Sequence, residues 1–208
     1  MNQIKFNKKL ITSSKVICIG RNYVEHIKEL DNEIPKNMVI FNKPNSSITS
    51  TLYYFSPTHR YEGELCFLVR DKKIVGIGFG LDLTNKEAQE YAKKKGLPWE
   101  RAKSFNNSAV FSEFVEFKGE FKNLHFKLWI NGELKQEGSY DLMIYKPNSI
   151  LKEIQSFMSL ENGDIIMSGT PKGVGTYQVG DKFIGEIYND DELLLETHFI
   201  VKDYKKES

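Results

Sequence analysis

The sequence predicts a mixed α+β chain that is mainly β, with short helices flanking the strands. Three observations carry this. Short β-prone runs recur at residues 15–19, 38–44, 61–69 and 74–83, the first two closed by Gly20 and Pro44. Asn131-Gly132, between two alternating runs, is a strong hairpin signal. Helical periodicity is confined to residues 23–30, 86–95 and 147–160.

In order, residues 15–19 form a buried strand closed by Gly20, and Asn22 and Glu25 then have capping-box spacing for a helix over 23–30. On that helix His26 and Glu29 are three apart and share a face, an arrangement that by itself is ordinary solvated surface. The strand over 38–44 brings Lys43 to a strand mouth just before Pro44. After a polar turn with Ser46 and Ser47, residues 48–55 read as a further strand.

Residues 61–69 are central. Alternation puts Tyr61, Gly63, Leu65, Phe67 and Val69 on one face and Glu62 and Glu64 on the other. Like charges on a buried strand repel and are costly to desolvate unless a proton or cation sits between them. In residues 74–83, Gly76, Gly78 and Gly80 leave one face bare, something approaches that face closely, and Asp82 follows on it. Thr84 and Glu87 read as a capping box for the helix over 86–95, ended by Gly96, and a connection over 98–105 carries Trp99 and Lys103.

The chain then turns largely to β structure: the Asn131-Gly132 hairpin, a strand over 164–168 and a last hairpin over 182–201. The helix over 147–160 carries Ile150, Leu151, Ile154, Phe157 and Met158 on its apolar stripe. Residues 202–208 are a charged tail.

With 29 basic and 28 acidic residues, there is no field to gather nucleic acid or an acidic membrane, which favours a small-molecule partner. Cys18 and Cys66 lie in apolar runs and read as buried packing in a reducing cytoplasm. No signal peptide or membrane-length apolar stretch occurs, so residues 1–208 are expected to form one cytoplasmic domain.

Glu62, Glu64 and Asp82 offer three oxygen ligands, suited to Mg²⁺ or Mn²⁺ and poorly suited to zinc. On spacing alone, a wet edge strand explains the glutamates equally well, and the glycine face beside Asp82 favours metal. Residues 169–175 lack the Gly-Lys-Ser/Thr ending of a phosphate loop. Their backbone N–H groups and the Thr170 hydroxyl suit a substrate carboxylate, with a plain tight loop as the alternative. His59, His125 and His198 have no partners at metal-ligand spacing.

The residues in this order closely resemble the fumarylacetoacetate hydrolase superfamily, in particular its acylpyruvase and oxaloacetate decarboxylase branch. The matching segments are Gly20-Arg21-Asn22-Tyr23 with His26 and Glu29, Phe41-Asn42-Lys43-Pro44, Glu62-Gly63-Glu64-Leu65, Leu81-Asp82-Leu83-Thr84, Gly96-Leu97-Pro98-Trp99 with Ala102-Lys103-Ser104-Phe105, Asn131-Gly132-Glu133 and Gly169-Thr170-Pro171-Lys172-Gly173-Val174-Gly175. The resemblance implies a β-roll, usually homodimeric, with Glu62, Glu64 and Asp82 holding Mg²⁺ or Mn²⁺. It makes His26 and Glu29 an acid–base dyad, sets Lys103 near the reacting carbonyl, and lines the substrate pocket with Arg21, Lys43 and Thr170. Two departures stand out. Arg60-Tyr61 replaces the two histidines common before the first metal glutamate, and Asp71-Lys72-Lys73 offers only a turn where relatives carry a short helix.

The implied activity is hydrolysis of a C–C bond in an acylpyruvate, a 2,4-dioxo acid, releasing pyruvate through a metal-stabilised enolate. The alternatives are oxaloacetate decarboxylation, 2-hydroxyhepta-2,4-diene-1,7-dioate isomerisation or 2-oxo-dienoate hydration, and, outside catalysis, a structural metal-binding β protein or a nucleotide-binding module.

Overall fold

A strand that is apolar at every position can be buried only if both its faces are covered, and this is the fate of the run that carries the glutamates. In the computed structural model, which describes residues 1–24 and 37–204, the glutamate strand Gly63–Arg70 is buried at every position but Arg70. Leu65, Phe67 and Val69 enter one core, and Cys66 and Leu68 enter a second on the opposite face. Residues 25–30 of the expected first helix, with His26 and Glu29, lie outside the described residues.

The glutamate strand is central in a mixed sheet of order Val39–Pro44, Lys15–Gly20, Ile165–Met167, Gly63–Arg70, Lys73–Asp82, Ala109–Phe111, Ile48–Thr49, with Val115–Glu116 also on Lys73–Asp82. Ile165–Met167 runs parallel to Lys15–Gly20 and Ala109–Phe111 parallel to Ile48–Thr49, the other pairs being antiparallel. Asp71 and Lys72, with φ of 50° and 60°, close the hairpin between the glutamate strand and the glycine strand Lys73–Asp82. The expected turn is thus observed there.

A second, antiparallel sheet of order Glu133–Ser139, Leu124–Ile130, Lys182–Asn189, Glu192–Ile200 covers one face of the first. Asn131 and Gly132 take φ of 52° and 85° in its predicted hairpin. The two sheets meet through Phe79 and Phe126, edge to face at 5.8 Å, and closely enough that a Cβ on Gly185 would collide with the Phe79 ring. The opposite face is covered by the hairpin of Gln3–Phe6 and Lys9–Thr12, which brings Ile4 and Phe6 into the second core.

What approaches the bare glycine face is the chain itself. A Cβ at Gly76, Gly78 or Gly80 would meet Phe6, Phe114 and Phe111 respectively, at 2.9, 2.8 and 3.0 Å. Asp82 stands at the end of this row, where the aromatic cover stops.

Three expectations are corrected. The strand over 48–55 is broken into Ile48–Thr49 and Tyr53–Tyr54 in different sheets, because Thr49 Oγ1 accepts from Thr51 N at 3.0 Å and turns the chain. The helix Lys86–Lys95 is capped by Asn85, whose side chain accepts from Ala88 N, and not by Thr84. Phe157 ends the helix Pro147–Phe157 and is exposed, while Ile150 and Ile154 carry its buried face. No helix of the described residues is long and apolar enough to cross a membrane.

Candidate active site

The glutamate and glycine strands build the site by register alone. Gly63 pairs with Leu81 and Glu64 with Gly80, so one more step sets Glu62 opposite Asp82, and Asp82 N donates to Glu62 O at 2.9 Å. Alternation then turns all three carboxylates to one face. Their oxygens lie within 4.8 Å of one another, with Glu64 and Asp82 buried and Glu62 partly so.

Two lysines enter from other elements. The short helix Glu100–Lys103 delivers Lys103, whose ammonium donates to Glu62 Oε2 and Asp82 Oδ2, each at 2.8 Å, and to Thr84 Oγ1. Thr84 in turn donates to Glu62 Oε1 at 2.8 Å, so the hydroxyl read as a helix cap joins the carboxylates instead. Burial opposes the Lys103 charge, but the Asp82 and Glu62 carboxylates outweigh it and raise the pKa above its ordinary value. Lys103 therefore stays protonated.

Lys43, expected at the pocket wall, is fully buried beneath the carboxylates. Its ammonium donates to Leu83 O at 3.3 Å, to Ser108 O at 3.1 Å, to Ser108 Oγ at 3.0 Å and to Lys103 O. It is also 2.8 Å from Asp82 Oδ1. That oxygen is buried, and the Lys43 ammonium answers its charge. Burial pushes the Asp82 pKa up, but Lys103 and Lys43 more than reverse this and hold it below the usual value. For Glu64, burial and then the Asp82 and Glu62 charges all raise the pKa, and Gly169 N donating to Oε2 at 2.7 Å opposes them only in part.

The glycine-rich loop serves this site from behind. Gly169, at φ 98°, passes so close to Asn22 that a Cβ would lie 2.8 Å from the Asn22 Cβ, and only this approach lets its N–H reach Glu64. The Asn22 side chain fixes the loop by donating to Ser168 O and Tyr145 O and accepting from Tyr145 N. The single Thr170 hydroxyl proton goes to Gly63 O at 2.9 Å, and Thr170 Oγ1 itself accepts from Gln136 Nε2 at 2.9 Å. Thr170, expected to bind a substrate carboxylate, lines the cleft with its hydroxyl hydrogen-bonded to Gly63 and Gln136.

Above the carboxylates the cleft is walled by Arg21, at φ 57°, with Phe41, Gln89, Lys93, Trp99 and Lys103. A larger surface groove of about 780 Å³ lies along Leu134, Gln136 and His125, away from the carboxylates. Sequence reasoning missed Gln89, Lys93, Phe41 and Trp99 as cleft residues. The available signal was helical spacing: Gln89 and Lys93 are four apart, on the turn and face nearest Asp82. Cys18 and Cys66 are buried free thiols, as expected, raised in pKa chiefly by burial.

The residues suit a hard divalent cation. The donors are all carboxylate oxygens, and three carboxylates face two ammonium groups.

The family profile "Fumarylacetoacetate (FAA) hydrolase C-terminal" matches residues 15–198. The Escherichia coli protein named oxaloacetate tautomerase YcgM is 37% identical, over 81% of this chain and 86% of that one. Human oxaloacetate tautomerase FAHD1, a mitochondrial protein, is 36% identical over 83% and 86%. The crystal structure of fumarylpyruvate hydrolase from Pseudomonas aeruginosa, in complex with Mn²⁺ and pyruvate, superposes with a TM-score of 0.86 at 26% identity, covering 96% of this chain and 95% of that one.

Proposed function

Because the chain belongs to the fumarylacetoacetate hydrolase family, we propose that it is a divalent-metal-dependent enzyme of 2-oxo acids that interconverts the enol and keto forms of oxaloacetate. The observation that carries this is the carboxylate triad at the floor of a cation-walled cleft. Glu62, Glu64 and Asp82 hold Mg²⁺ or Mn²⁺. When bound, the cation supplies Lewis-acid polarisation of the 2-oxo group, lowering the cost of enolate charge.

The chain's own residues do the rest. Lys103, 2.8 Å from Glu62 Oε2 and Asp82 Oδ2, stands at the carboxylate floor where it can donate hydrogen bonds toward developing negative charge. Tautomerisation removes a proton from C3 and delivers one to the 2-oxo oxygen, or the reverse. This transfer is assigned to His26 oriented by Glu29, on the family resemblance alone. The oxaloacetate reaction takes precedence over the expected acylpyruvate hydrolysis because the curated relatives are named for it.

Hydrolytic release of pyruvate is retained as a second reading, favoured by the fold's likeness to a fumarylpyruvate hydrolase that holds Mn²⁺ and pyruvate. The working form is proposed to be a cytoplasmic homodimer.

The test follows loss of oxaloacetate enol absorbance with Mg²⁺, with Mn²⁺ and after chelation, beside pyruvate release from acetylpyruvate. Metal-dependent acceleration of enol loss that chelation abolishes is expected. Pyruvate release from acetylpyruvate without that acceleration would transfer the assignment to the hydrolase, and inactivity on both would overturn it.

A further inference from the structure

The cations around the cleft differ in what answers their charge. Lys103 meets two carboxylates, Lys43 meets Asp82 with carbonyls and Ser108, and Lys86 lies 3.6 Å from Glu90. Lys93, half-buried in the cleft wall, has no carboxylate or hydrogen-bond acceptor among the described residues. Its ammonium lies 5.4 Å from the centre of the Trp99 ring, and Trp99 packs on Phe41 at 5.9 Å.

Lys93 follows the buried Gln89 by one turn on the same helix face, and Gly96 ends that helix in a left-handed cap. The ammonium is therefore held over an aromatic wall, in the same cleft as the carboxylates. Its surroundings are mostly cationic: burial, then Lys86 and Arg21, depress its pKa to about 8, with Glu62 opposing and Lys103 adding to the depression. An anion arriving here gains a desolvated, charge-assisted partner, and the Phe41–Trp99 wall accepts the carbon chain between.

We propose that Lys93 is a specificity-determining residue that pairs with the second carboxylate of a dianionic 2-oxo acid and selects it over 2-oxo acids with an uncharged tail. This rests on the oxaloacetate reading above and adds to it the residue that answers the second carboxylate. A head group anchored at the carboxylate floor leaves its far end toward the cleft wall, where Lys93 answers one more negative charge.

The experiment compares wild type, Lys93→Gln and Lys93→Arg as full-length, Mg²⁺-loaded protein of matched Tm. Steady-state kinetics use oxaloacetate, and calorimetry reads binding of oxaloacetate and of pyruvate, which lacks the second carboxylate. Loss of one charged hydrogen bond predicts that Lys93→Gln raises the oxaloacetate KM and Kd about 10–100-fold. It is expected to leave kcat and the pyruvate Kd within about threefold, with Lys93→Arg restoring most of the affinity. An unchanged oxaloacetate Kd, or an equal loss for pyruvate, overturns the proposal. Because binding is read apart from turnover, wild type that binds oxaloacetate through Lys93 without converting it would overturn the reaction assignment and uphold the selectivity.

Discussion

Replacing Glu64 by Gln separates what the site costs from what it does. The side chain keeps its shape and an oxygen to accept from Gly169 N, but loses a charge buried beside Asp82 and Glu62. Two unit charges at the 4.8 Å limit of the cluster repel by about 3.5 kcal/mol at an effective dielectric constant near 20. Lys103, 2.8 Å from both neighbours, cancels much of this, leaving a net relief of about 1–2 kcal/mol. For a chain of this length that is a Tm gain of about 2–8 °C in metal-free protein.

The sign depends on pH. Glu64 has its pKa raised in the fold above the ordinary 4.5, so the folded state binds the extra proton, and wild-type stability falls as pH rises from 4.5 toward the folded value. Glu64→Gln escapes that fall. Its advantage should be absent below pH 4.5 and grow above it. Added Mg²⁺ should then raise the Tm of wild type by ligand linkage and leave the variant unmoved. Thermal melts across pH, with and without Mg²⁺, supply the assay. A metal-free variant less stable than wild type at pH 8, or one stabilised by Mg²⁺ to the same extent, would refute the reasoning.

Three other outcomes are expected. Lys43→Met leaves a buried Asp82 and several carbonyls without their cation, and should cost about 3–5 kcal/mol in urea denaturation; a loss under about 1 kcal/mol would mean that Lys43 is not needed beneath the site. Gly78→Ala forces a methyl onto the Phe114 ring at 2.8 Å and should cost about 1–3 kcal/mol, read by the same melts, with no change in Mg²⁺ affinity. The oxaloacetate KM of wild type should rise above pH of about 8, where Lys93 loses its proton, and Lys93→Arg should show no such limb; a limb shared by both would assign it to another group.

The carboxylate triad was legible because strand alternation is a rigid rule: Glu62 and Glu64 must share a face, and a row of glycines ending in Asp82 marks its neighbour. Other positions were ambiguous for definable reasons. A Thr before a helix reads as a cap, and only tertiary structure shows that the Thr84 hydroxyl is drawn to Glu62 while Asn85 takes the cap. Lys43 was rightly placed near a strand mouth, but sequence does not say whether a lysine faces the cleft or the layer below, and the carbonyls of Leu83, Lys103 and Ser108 decide it. Lys93 opens a run of three lysines and reads as a solvated helix end; its cleft position follows from how that helix packs, which local pattern does not encode.

The three carboxylates sit on one hairpin, closed by the two-residue turn at Asp71 and Lys72, whereas the lysines that answer them come from Val39–Pro44 and Glu100–Lys103. Local hairpins close on the microsecond scale, and contacts between distant segments follow more slowly. During folding the negative charges therefore gather before their lysine partners arrive. The divalent cation proposed for this site would, if present at that moment, answer those charges before the lysines do.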